Sequence, residues 1–340
     1  MTKINILMWG LGEIGSRAGR IIASRPDLHI TGAISHQVGS DLGTVLGIPE
    51  TGVTVVAGPE QLAHEEYDIC LLATFQRVEE LRPQIEWLLS RGISVIVSGE
   101  EMIFPRASSP ETSEYLDALA KANNCSLYGT GVNPGFVMDA LVLCLTSVCG
   151  SIDRIDVVRS SDFSPYGPGP LRSLGVGLTE KEFELGLASG TVDGHIGFRE
   201  SIAVITKALG WQLDSYREGI EPILTSVERR TPHIVVPAGN VAGCSHWIEG
   251  LSDGEVKIRL EHPQQIDPAA IDARLGDYVT ITGDPGLSMA ISPEIEGGQA
   301  TAARMVNSIH DVLDGPAGLV TMDELRIPFA RLGVPDVVPS

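Results

Sequence analysis

A short apolar run, Ile4–Met8, leads almost directly into the glycine-rich segment Gly10-Leu-Gly12-Glu-Ile-Gly15. In this spacing the first glycine permits a tight turn, the second lets the backbone approach a pyrophosphate, and the third lets a helix pack closely on the strand. The N-terminus of that helix then faces the phosphate charge. The turn therefore predicts a dinucleotide-binding unit. Its predicted cofactor-binding residues are Gly10, Gly12, Glu13, Ile14 and Gly15.

Strand-like and helical segments alternate through the first third of the chain. The segments predicted as strands are Ile4–Met8, Leu28–Ile34, Val53–Ala57, Tyr67–Ala73, Ile93–Ser98 and Cys125–Tyr128. Helices are predicted from about Glu13 to Ser24, Val78 to Arg91 and Ser109 to Asn123. Such alternation implies parallel strands with right-handed crossovers. The fold class predicted is α/β, a Rossmann doubly wound parallel sheet.

The sequence pattern changes after about residue 130. Residues 162–178 are rich in Gly, Pro and Ser and are predicted as a long loop, helices are predicted over Thr179–Ala188 and Gly197–Leu209, and most runs from Leu213 to Ile291 are strand-like. A helical pattern returns over Gly297–Leu313, and we expect that helix to pack back on the first domain. The prediction is a dinucleotide-binding domain of residues 1–132 plus 297–340, with an inserted α+β domain, residues 133–296, of mainly antiparallel sheet.

Charge and composition exclude several classes of protein. The formal net charge is −20, from 44 Asp and Glu against 24 Lys and Arg, which argues against a nucleic-acid partner. No stretch has the roughly 18 consecutive apolar residues of a membrane span. The five cysteines are odd in number and lack CxxC spacing, which favours a reduced, cytoplasmic protein. No His/Cys cluster has metal-ligand spacing, so we expect no metal.

The end of the second strand bears on cofactor choice. A site for NAD usually has an acid about 20 residues past the glycines, but this chain has Ser35 and His36 there and no carboxylate until Asp41. Ser35 and His36 are placed to donate to a 2′-phosphate, and Arg17 adds a positive charge. The alternative is that Arg17 and His36 are solvated surface residues. NADP is favoured, with NAD possible.

Two adjacent acids, Glu100 and Glu101, follow the strand Ile93–Ser98 and precede the apolar residues Met102–Phe104. The carboxyl ends of strands line the ligand crevice in an open α/β sheet. An unpaired carboxylate beside an apolar wall is costly. We therefore expect one of the two to cap a helix or face solvent, and the other to meet a cationic or imine substrate.

Longer motifs extend the pattern to almost the whole chain. They are GTGVNPGFVMD at 129–139, GHIGFRES at 194–201, PAGNVAGCSH at 237–246 and GLVTM at 318–322. Together with the glycine turn, they resemble the dihydrodipicolinate-reductase-like superfamily, and more closely its 2,4-diaminopentanoate dehydrogenases and native NAD(P)-dependent amine dehydrogenases. The resemblance implies a Rossmann domain, an inserted domain that forms a homodimer, and a cleft between them.

The resemblance also implies a reaction. Dihydrodipicolinate reductases carry a His-His-x-x-Lys-type segment at the substrate dicarboxylate, whereas this chain has no lysine between Lys121 and Lys181 and only Arg172 as a base between Ser161 and Gly175. In the amine-dehydrogenase branch a glutamate of the Glu-Glu pair holds the substrate nitrogen, which carries over to Glu101 or Glu100, with Glu101 favoured. The expected function is reductive amination of a carbonyl with ammonia, and the reverse deamination of an amine or diamine. The alternatives are a dihydrodipicolinate-reductase-like imine or enamine reductase and a non-catalytic NADP-binding sensor.

The remaining site predictions concern loops. Thr74 and Asn133 follow predicted strands and are expected at the cofactor, although a turn residue and a domain hinge are the plain alternatives. His195 is expected to open a helix, either in the substrate pocket or as a structural histidine. The residues predicted for the substrate pocket are Phe136, Tyr166, Arg172 and His195. For Tyr166 and Arg172, in the Gly/Pro-rich loop, an ordinary surface loop is the alternative.

Overall fold

The computed structural model describes residues 3–63 and 66–331. Residues 1–2, 64–65 and 332–340, which the sequence assigns to the dinucleotide-binding domain, lie outside the described residues. The chain forms two compact units. The first contains the residues up to Phe136, Arg199–Val204, and the residues from Glu296 onward; the second contains Val137–Phe198 and Ile205–Ile295. No feature of the sequence pattern predicted that Arg199–Val204 groups with the first unit.

The described residues contain strands and helices in the following order. The strands are β1 Ile4–Trp9, β2 Leu28–Ile34, β3 Val55–Val56, β4 Ile69–Leu72, β5 Ser94–Val97, β6 Ser126–Gly129, β7 Ser151–Asp162, β8 Ser215–Leu224, β9 Arg229–Arg230, β10 Val235–Val236, β11 Val241–Ser252, β12 Glu255–Gln265, β13 Gly276–Asp284, β14 Leu287–Ile291 and β15 Gly318–Val320. The helices are α1 Glu13–Ala23, α2 Leu42–Leu46, α3 Val78–Leu89, α4 Pro110–Ala122, α5 Ala140–Thr146, α6 Pro168–Ser173, α7 Glu180–Ser189, α8 Phe198–Leu209, α9 Gly297–Asn307 and α10 Ile309–Leu313.

The first unit is built on a seven-stranded parallel sheet in the order β15-β6-β5-β4-β1-β2-β3. Side chains alternate across β1: Ile6 and Met8 enter one buried cluster with residues of α1 and α9, while Leu7 enters another with residues of α3 and α4. Burial on both faces explains why these strands are almost wholly apolar. The predicted doubly wound Rossmann sheet is confirmed.

The second unit contains a six-stranded sheet in the order β14-β13-β7-β12-β11-β8. Its neighbouring strands pair antiparallel except β7 and β12, which are parallel. The predicted, mainly antiparallel sheet is therefore confirmed. β7 was missed because charged residues such as Arg154 and Asp156 occupy its partly exposed positions and hide the apolar alternation.

Two predicted segments differ from the structure. The Gly/Pro-rich segment 162–178 is not entirely loop, because Pro168 starts the short helix α6, where the missing N–H of proline costs nothing. The helix predicted over Gly297–Leu313 is interrupted at Ser308, whose hydroxyl donates to the Arg304 carbonyl. None of the helices in the described part of the chain combines the length and apolarity needed to cross a membrane.

Candidate active site

The glycine turn connects β1 to α1 and leaves one open position. Gly10 has a φ of +94°, and a Cβ there would lie 2.2 Å from the Ala73 carbonyl oxygen. A Cβ on Gly15 would lie 1.9 Å from the Gly10 carbonyl oxygen. Around a Cβ on Gly12, by contrast, the described residues other than its two chain neighbours place no heavy atom within 4 Å. The turn therefore needs glycine at positions 10 and 15 for its own packing, whereas at Gly12 the helix N-terminus meets free space that fits a pyrophosphate.

The side chains predicted beside this turn point elsewhere. Arg17 pairs with Glu13, with 2.9 Å between Nη2 and Oε1, and with Glu296, with 2.8 Å between Nη1 and Oε2. Ile14 packs against the buried cluster on this side of the sheet. Glu13 and Ile14 are thus available to a phosphate through their backbone, and the Arg17 guanidinium already has two carboxylate partners.

At the end of β2, Ser35 is half-buried and His36 is exposed. Asp41, the first acid after them, accepts hydrogen bonds from the backbone N–H groups of Gly43, Thr51 and Gly52 at 2.7, 3.1 and 2.9 Å. Although burial alone raises its pKa, these hydrogen bonds hold the pKa of Asp41 below its ordinary value. The Asp41 carboxylate therefore stabilises the backbone of residues 43–52 through these hydrogen bonds.

Glu101 lies in a 3-10 turn, Glu100–Ile103, directly after β5. One carboxylate oxygen accepts from the Arg77 guanidinium at 3.1 Å, and the other accepts from the backbone N–H of Val78, the first residue of α3, at 2.9 Å. The side chain is 13% exposed, against 53% for Arg77. Glu101 is thus a nearly buried carboxylate fixed by two donors at the carboxyl edge of the parallel sheet.

This geometry changes the division expected for the glutamate pair. The resemblance favoured Glu101 as the acid that holds the substrate nitrogen, and Glu101 is also the one that binds a helix N-terminus and an arginine. Glu100 is half-buried on the same turn, and its backbone N–H donates to the Gln76 side-chain oxygen at 3.3 Å. A carboxylate has about four lone-pair sites, so two donors leave Glu101 able to accept another.

The loop after β6 contains buried polar atoms without a partner. Among the described residues these include Thr130 Oγ1 and both side-chain polar atoms of Asn133. The loop is held by α9, because the Val132 N–H donates to Thr301 Oγ1 at 3.1 Å and Arg304 donates to the Gly135 carbonyl at 3.1 Å. Unpaired buried amide atoms at a strand end fit a ligand that itself has amide donors and acceptors, such as a carboxamide.

Two further predicted residues of the first unit already have side-chain contacts. The Thr74 hydroxyl donates to the Gln84 side-chain oxygen on α3 at 2.6 Å. The Phe136 ring lies 5.3 Å from the Arg304 guanidinium carbon, a cation–π distance. Thr74 therefore bridges the end of β4 to α3, and Phe136 is fixed beside the loop that contains Asn133.

In the second unit, His195 is buried against other rings. Its ring centroid lies 5.1 Å from that of His262 and 4.8 Å from that of Phe198. Its backbone N–H donates to His246 Nδ1 at 2.9 Å, and its own Nε2 has no hydrogen-bond partner in the part of the chain that the structure describes. His195 does not open a helix as expected, since α8 begins three residues later at Phe198.

Both of these imidazoles are uncharged in the folded protein near neutral pH. Burial, followed by unfavourable electrostatic interactions with His262, His246 and Arg159, holds the pKa of His195 well below its ordinary range. Burial and the Arg159 charge lower the pKa of His262 to about 3, against the opposing hydrogen bond between Nδ1 and the Arg159 carbonyl. His195 and His262 therefore contribute polar but uncharged rings to the cluster that they form with Phe198.

The other two predicted pocket residues differ in exposure. Tyr166 is half-buried and stacks on Phe163, with centroids 4.5 Å apart, and Phe163 lies 6.2 Å from the His262 ring. Tyr166 thus joins the same line of rings as His195. Arg172 is exposed on α6.

Sequence reasoning missed several residues that the structure places at these sites. Arg77 gave no signal, because its ion pair with Glu101 joins positions with no periodic relation. His262 was missed because it lies within an otherwise ordinary strand. Glu200 belongs to the quoted motif GHIGFRES but was given no role, although it is 4% exposed. Across the described residues, no group of three or more His, Cys, Asp or Glu side chains is arranged to hold a metal ion.

Comparison with known proteins agrees with this architecture. A family model described as the 2,4-diaminopentanoate dehydrogenase C-terminal domain matches residues 136–337. A 2,4-diaminopentanoate dehydrogenase from Acetoanaerobium sticklandii is 37% identical over 98% of this chain and 96% of its own length. An amine dehydrogenase from Streptomyces virginiae is 27% identical over 97% of this chain and 99% of its own length. The structure of an amine dehydrogenase from Mycobacterium smegmatis superposes with a TM-score of 0.85 and 26% identity, covering 98% of this chain and 99% of that one.

A nucleotide-type glycine turn, a doubly wound sheet and a glutamate pair at its carboxyl edge define an oxidoreductase-like architecture. The matches over nearly the whole chain are more specific than the fold. The chain belongs to the 2,4-diaminopentanoate dehydrogenase family. The resemblance stated from its motifs is thereby confirmed.

Proposed function

We propose that the protein is an NADP-dependent amine dehydrogenase. It would catalyse the reductive amination of a small carbonyl compound with ammonia, and the reverse oxidative deamination of an amine or diamine. The observation that carries the proposal is the position of Glu101. This nearly buried carboxylate is fixed directly after β5, in the same parallel sheet as β1, the strand that leads into the glycine turn. Membership of a family named for a diamine dehydrogenase supports the same reaction class.

The chemistry needs a fixed negative charge. Reductive amination passes through an iminium cation, and a carboxylate in a dry site stabilises that cation relative to the neutral imine. The bonds from Arg77 and Val78 to Glu101 hold its oxygens in place before the substrate binds, as positioning requires. In the deamination direction, the same carboxylate accepts a proton from the ammonium. When bound, the nicotinamide supplies or takes up the hydride.

The choice of NADP rests on the end of β2. No acid is free to bind a ribose 2′-hydroxyl there, because Asp41 is held by three backbone N–H groups. Ser35 and His36 remain as donors to a 2′-phosphate. Arg17 lends little support, since Glu13 and Glu296 already neutralise it. NAD is expected to bind more weakly than NADP but to be used.

We assign the rest of the site in the same way. Gly10–Gly15 would receive the pyrophosphate, and Asn133 and Thr130 the nicotinamide carboxamide, since their buried side-chain polar atoms have no partner among the described residues. Thr74 would contribute indirectly, because its hydrogen bond to Gln84 on α3 holds the end of β4 in place. The proposed substrate-binding residues are Phe136, Tyr166, Arg172 and His195.

A homodimer in the cytoplasm completes the proposal. The outermost strand β8 exposes Tyr216 and Leu224, at 41% and 43%, which supports an interface on the second unit. Light scattering coupled to gel filtration should give twice the chain mass of 36.2 kDa. A single-chain mass at all loading concentrations would refute the dimer.

The proposal is tested by amine-dependent reduction of NADP⁺ with a panel of small amines and diamines. Glu101→Gln should lower turnover on the order of 100-fold or more, because the neutral amide removes the charge that stabilises the iminium. NADPH binding, followed by fluorescence, should be unchanged. Glu100→Gln is the matched control and should retain most of the activity. If instead Glu100→Gln is inactive and Glu101→Gln is not, the nitrogen-binding role passes to Glu100.

A further inference from the structure

One face of the six-stranded sheet in the second unit carries polar side chains in the protein interior. Gln264 on β12 pairs with Cys244 on β11 and with Ser161 on β7, so these three side chains lie on the same side of the sheet. His262 comes two residues before Gln264 and shares that side. Gln264 is 4% exposed and Ser161 is 6% exposed. An amide, a hydroxyl and an imidazole are therefore buried side by side.

Several polar atoms at this face are not hydrogen-bonded. His195 lies against the face, because its ring centroid is 5.1 Å from that of His262. Within the described ranges of the chain, Gln264 Oε1, Ser161 Oγ and His195 Nε2 are buried and have no hydrogen-bond partner. A buried polar atom without a partner is destabilising, and native structures contain few of them. We call Ser161, His195, His262 and Gln264 the polar cluster; its unpaired atoms point to a bound molecule.

Aromatic rings border the polar cluster. The Phe198 ring centroid lies 4.8 Å from that of His195, and the Phe163 centroid lies 6.2 Å from that of His262. Tyr166 extends this border, since its ring stacks on Phe163 with 4.5 Å between centroids. Sites for small molecules typically combine apolar, aromatic walls with a few polar groups that fix the orientation of the ligand. The polar cluster and its rings have this composition.

The hydrogen bonds already made decide which ligand the polar cluster can bind. The Arg159 carbonyl can only accept, so the neutral His262 ring donates to it from Nδ1 at 2.6 Å and keeps a lone pair on Nε2. Gln264 Oε1 is also an acceptor, whereas Ser161 Oγ can donate or accept. A carboxylate or phosphate would meet two lone pairs and be repelled. A ligand group with a hydrogen to donate is therefore favoured.

The charges around the polar cluster favour an uncharged ligand group. None of the four cluster residues is an acid, and the neighbouring Arg159 is a buried cation paired with Asp277. Burial and the Arg159 charge disfavour a positive charge on His262, and they would disfavour an ammonium group there for the same reason. Burying a charge without a counter-ion costs far more than burying a hydroxyl that is hydrogen-bonded. The chemistry points to an alcohol.

We propose that the polar cluster binds a neutral hydroxyl group of the substrate, away from the carbon that exchanges the hydride, and thereby selects hydroxy amines over plain alkyl amines. The hydroxyl donates to Gln264 Oε1 and accepts from Ser161 Oγ, and the His195 and His262 rings lie beside it. No bond is formed or broken at the cluster. The proposal rests on the proposed function, because it concerns the substrate of that reaction.

The first experiment compares matched amines in the reduction of NADP⁺. The probes are 2-aminobutane, 2-aminopentane and 2-aminohexane, each with its terminal hydroxy analogue and its terminal amino analogue. At the chain length that reaches the polar cluster, kcat/KM of the hydroxy analogue should exceed that of the alkyl amine about tenfold, the value of one net hydrogen bond. It should also exceed that of the terminal diamine. A preference for the diamine, or no preference for the hydroxy analogue at any length, would overturn the proposal.

Two variants assign the preference to the polar cluster. Gln264→Met keeps the length of the side chain but removes Oε1, and Ser161→Ala removes the hydroxyl. Each should abolish the difference in kcat/KM between the hydroxy analogue and the alkyl amine. Gln212→Met and Ser288→Ala, at exposed positions, are the matched controls and should keep the parent's preference. If the two cluster variants lower kcat/KM equally for both substrates, their role is structural and the proposal fails. If Gln264→Met does not fold, an unchanged preference in Ser161→Ala overturns it.

Binding measured without turnover separates this proposal from the proposed function. Isothermal titration calorimetry of the same probes in the presence of NADP⁺ should give the parent a lower Kd for a hydroxy analogue than for its alkyl amine. The difference should disappear in Ser161→Ala. Equal or unmeasurable affinities in the parent would overturn the hydroxyl site even if the enzyme is active. A parent that binds the hydroxy analogue more tightly but shows no amine-dependent turnover would instead refute the proposed function.

Discussion

Gly12 and Gly15 belong to one turn, yet the absence of a Cβ matters for a different reason at each position. At Gly15 the missing side chain makes room for the protein's own backbone, with the Gly10 carbonyl 1.9 Å from where a Cβ would stand. At Gly12 no heavy atom of residues 3–63 and 66–331, its two chain neighbours aside, lies within 4 Å of the corresponding position. An alanine substitution at Gly12 should therefore affect ligand binding, whereas one at Gly15 should affect folding stability.

We expect Gly12→Ala to fold normally but to bind NADPH about tenfold or more weakly, equivalent to about 1.4 kcal/mol, because the methyl occupies the pyrophosphate space. Gly15→Ala should instead lower the free energy of unfolding by about 1–3 kcal/mol through overpacking. Fluorescence titration and thermal melts measure the two effects. Equal NADPH affinity in Gly12→Ala and the parent would argue against a phosphate at this position.

At the scale of elements, Glu101 connects the turn after β5 to the N-terminus of α3. Removing the acceptor leaves the buried backbone N–H of Val78 without a partner, which costs about 1–3 kcal/mol. We expect that loss of stability in Glu101→Ala and little of it in Glu101→Gln, whose amide oxygen still accepts. Both variants should lose amine turnover. Chemical denaturation measures the stability, and equal stability of the two variants would exclude the helix-binding role.

The end of β2 allows a test of cofactor choice. Ser35→Asp would place a carboxylate where the 2′-phosphate of NADP is proposed to lie, and like charges at close range are strongly unfavourable. We expect the KM for NADPH to rise about tenfold or more. The KM for NADH should change little or fall, and Ser35→Asn is the uncharged control. A parallel rise for both cofactors would contradict the NADP assignment.

How far the sequence predicted each element depended on its pattern. The parallel strands were predictable because burial on both faces makes them continuous apolar runs, and the glycine turn because its spacing follows from packing. β7 was missed since its charged residues, such as Arg154 and Asp156, mask the alternation. The pairing of Arg77 with Glu101 joins positions that only the folded sheet brings together, so no local pattern could predict it.

At the scale of the whole molecule, the buried neutral histidines make the free energy of unfolding depend on pH in the acidic range. The pKa of His262 falls from its ordinary 6.5 to about 3 on folding, and that of His195 falls well below 6.5, with burial the largest cause in each. Groups with a lowered pKa in the folded state bind fewer protons there than in the unfolded chain. Their stabilising contribution is present above 6.5 and is lost as the pH falls through this range toward 3.

We therefore expect the melting temperature to fall as the pH drops below 6.5. The stability of His262→Asn should fall less steeply with decreasing pH, because its amide cannot be protonated in this range. The difference in slope should be on the order of 1 kcal/mol of unfolding free energy per pH unit. The asparagine N–H can still donate to the Arg159 carbonyl, as His262 Nδ1 does. Melts at several pH values measure the difference, and parallel curves for parent and variant would refute the assignment.

The central claim, that this molecule reduces a carbonyl by way of a nitrogen-containing intermediate, is tested most directly by NADPH oxidation with a panel of small ketones, with and without ammonia. We predict that oxidation requires both the ketone and ammonia and that the amine product accumulates in step with NADP⁺. Oxidation that proceeds equally without ammonia, or an absence of oxidation with every ketone despite tight NADPH binding, would contradict the claim.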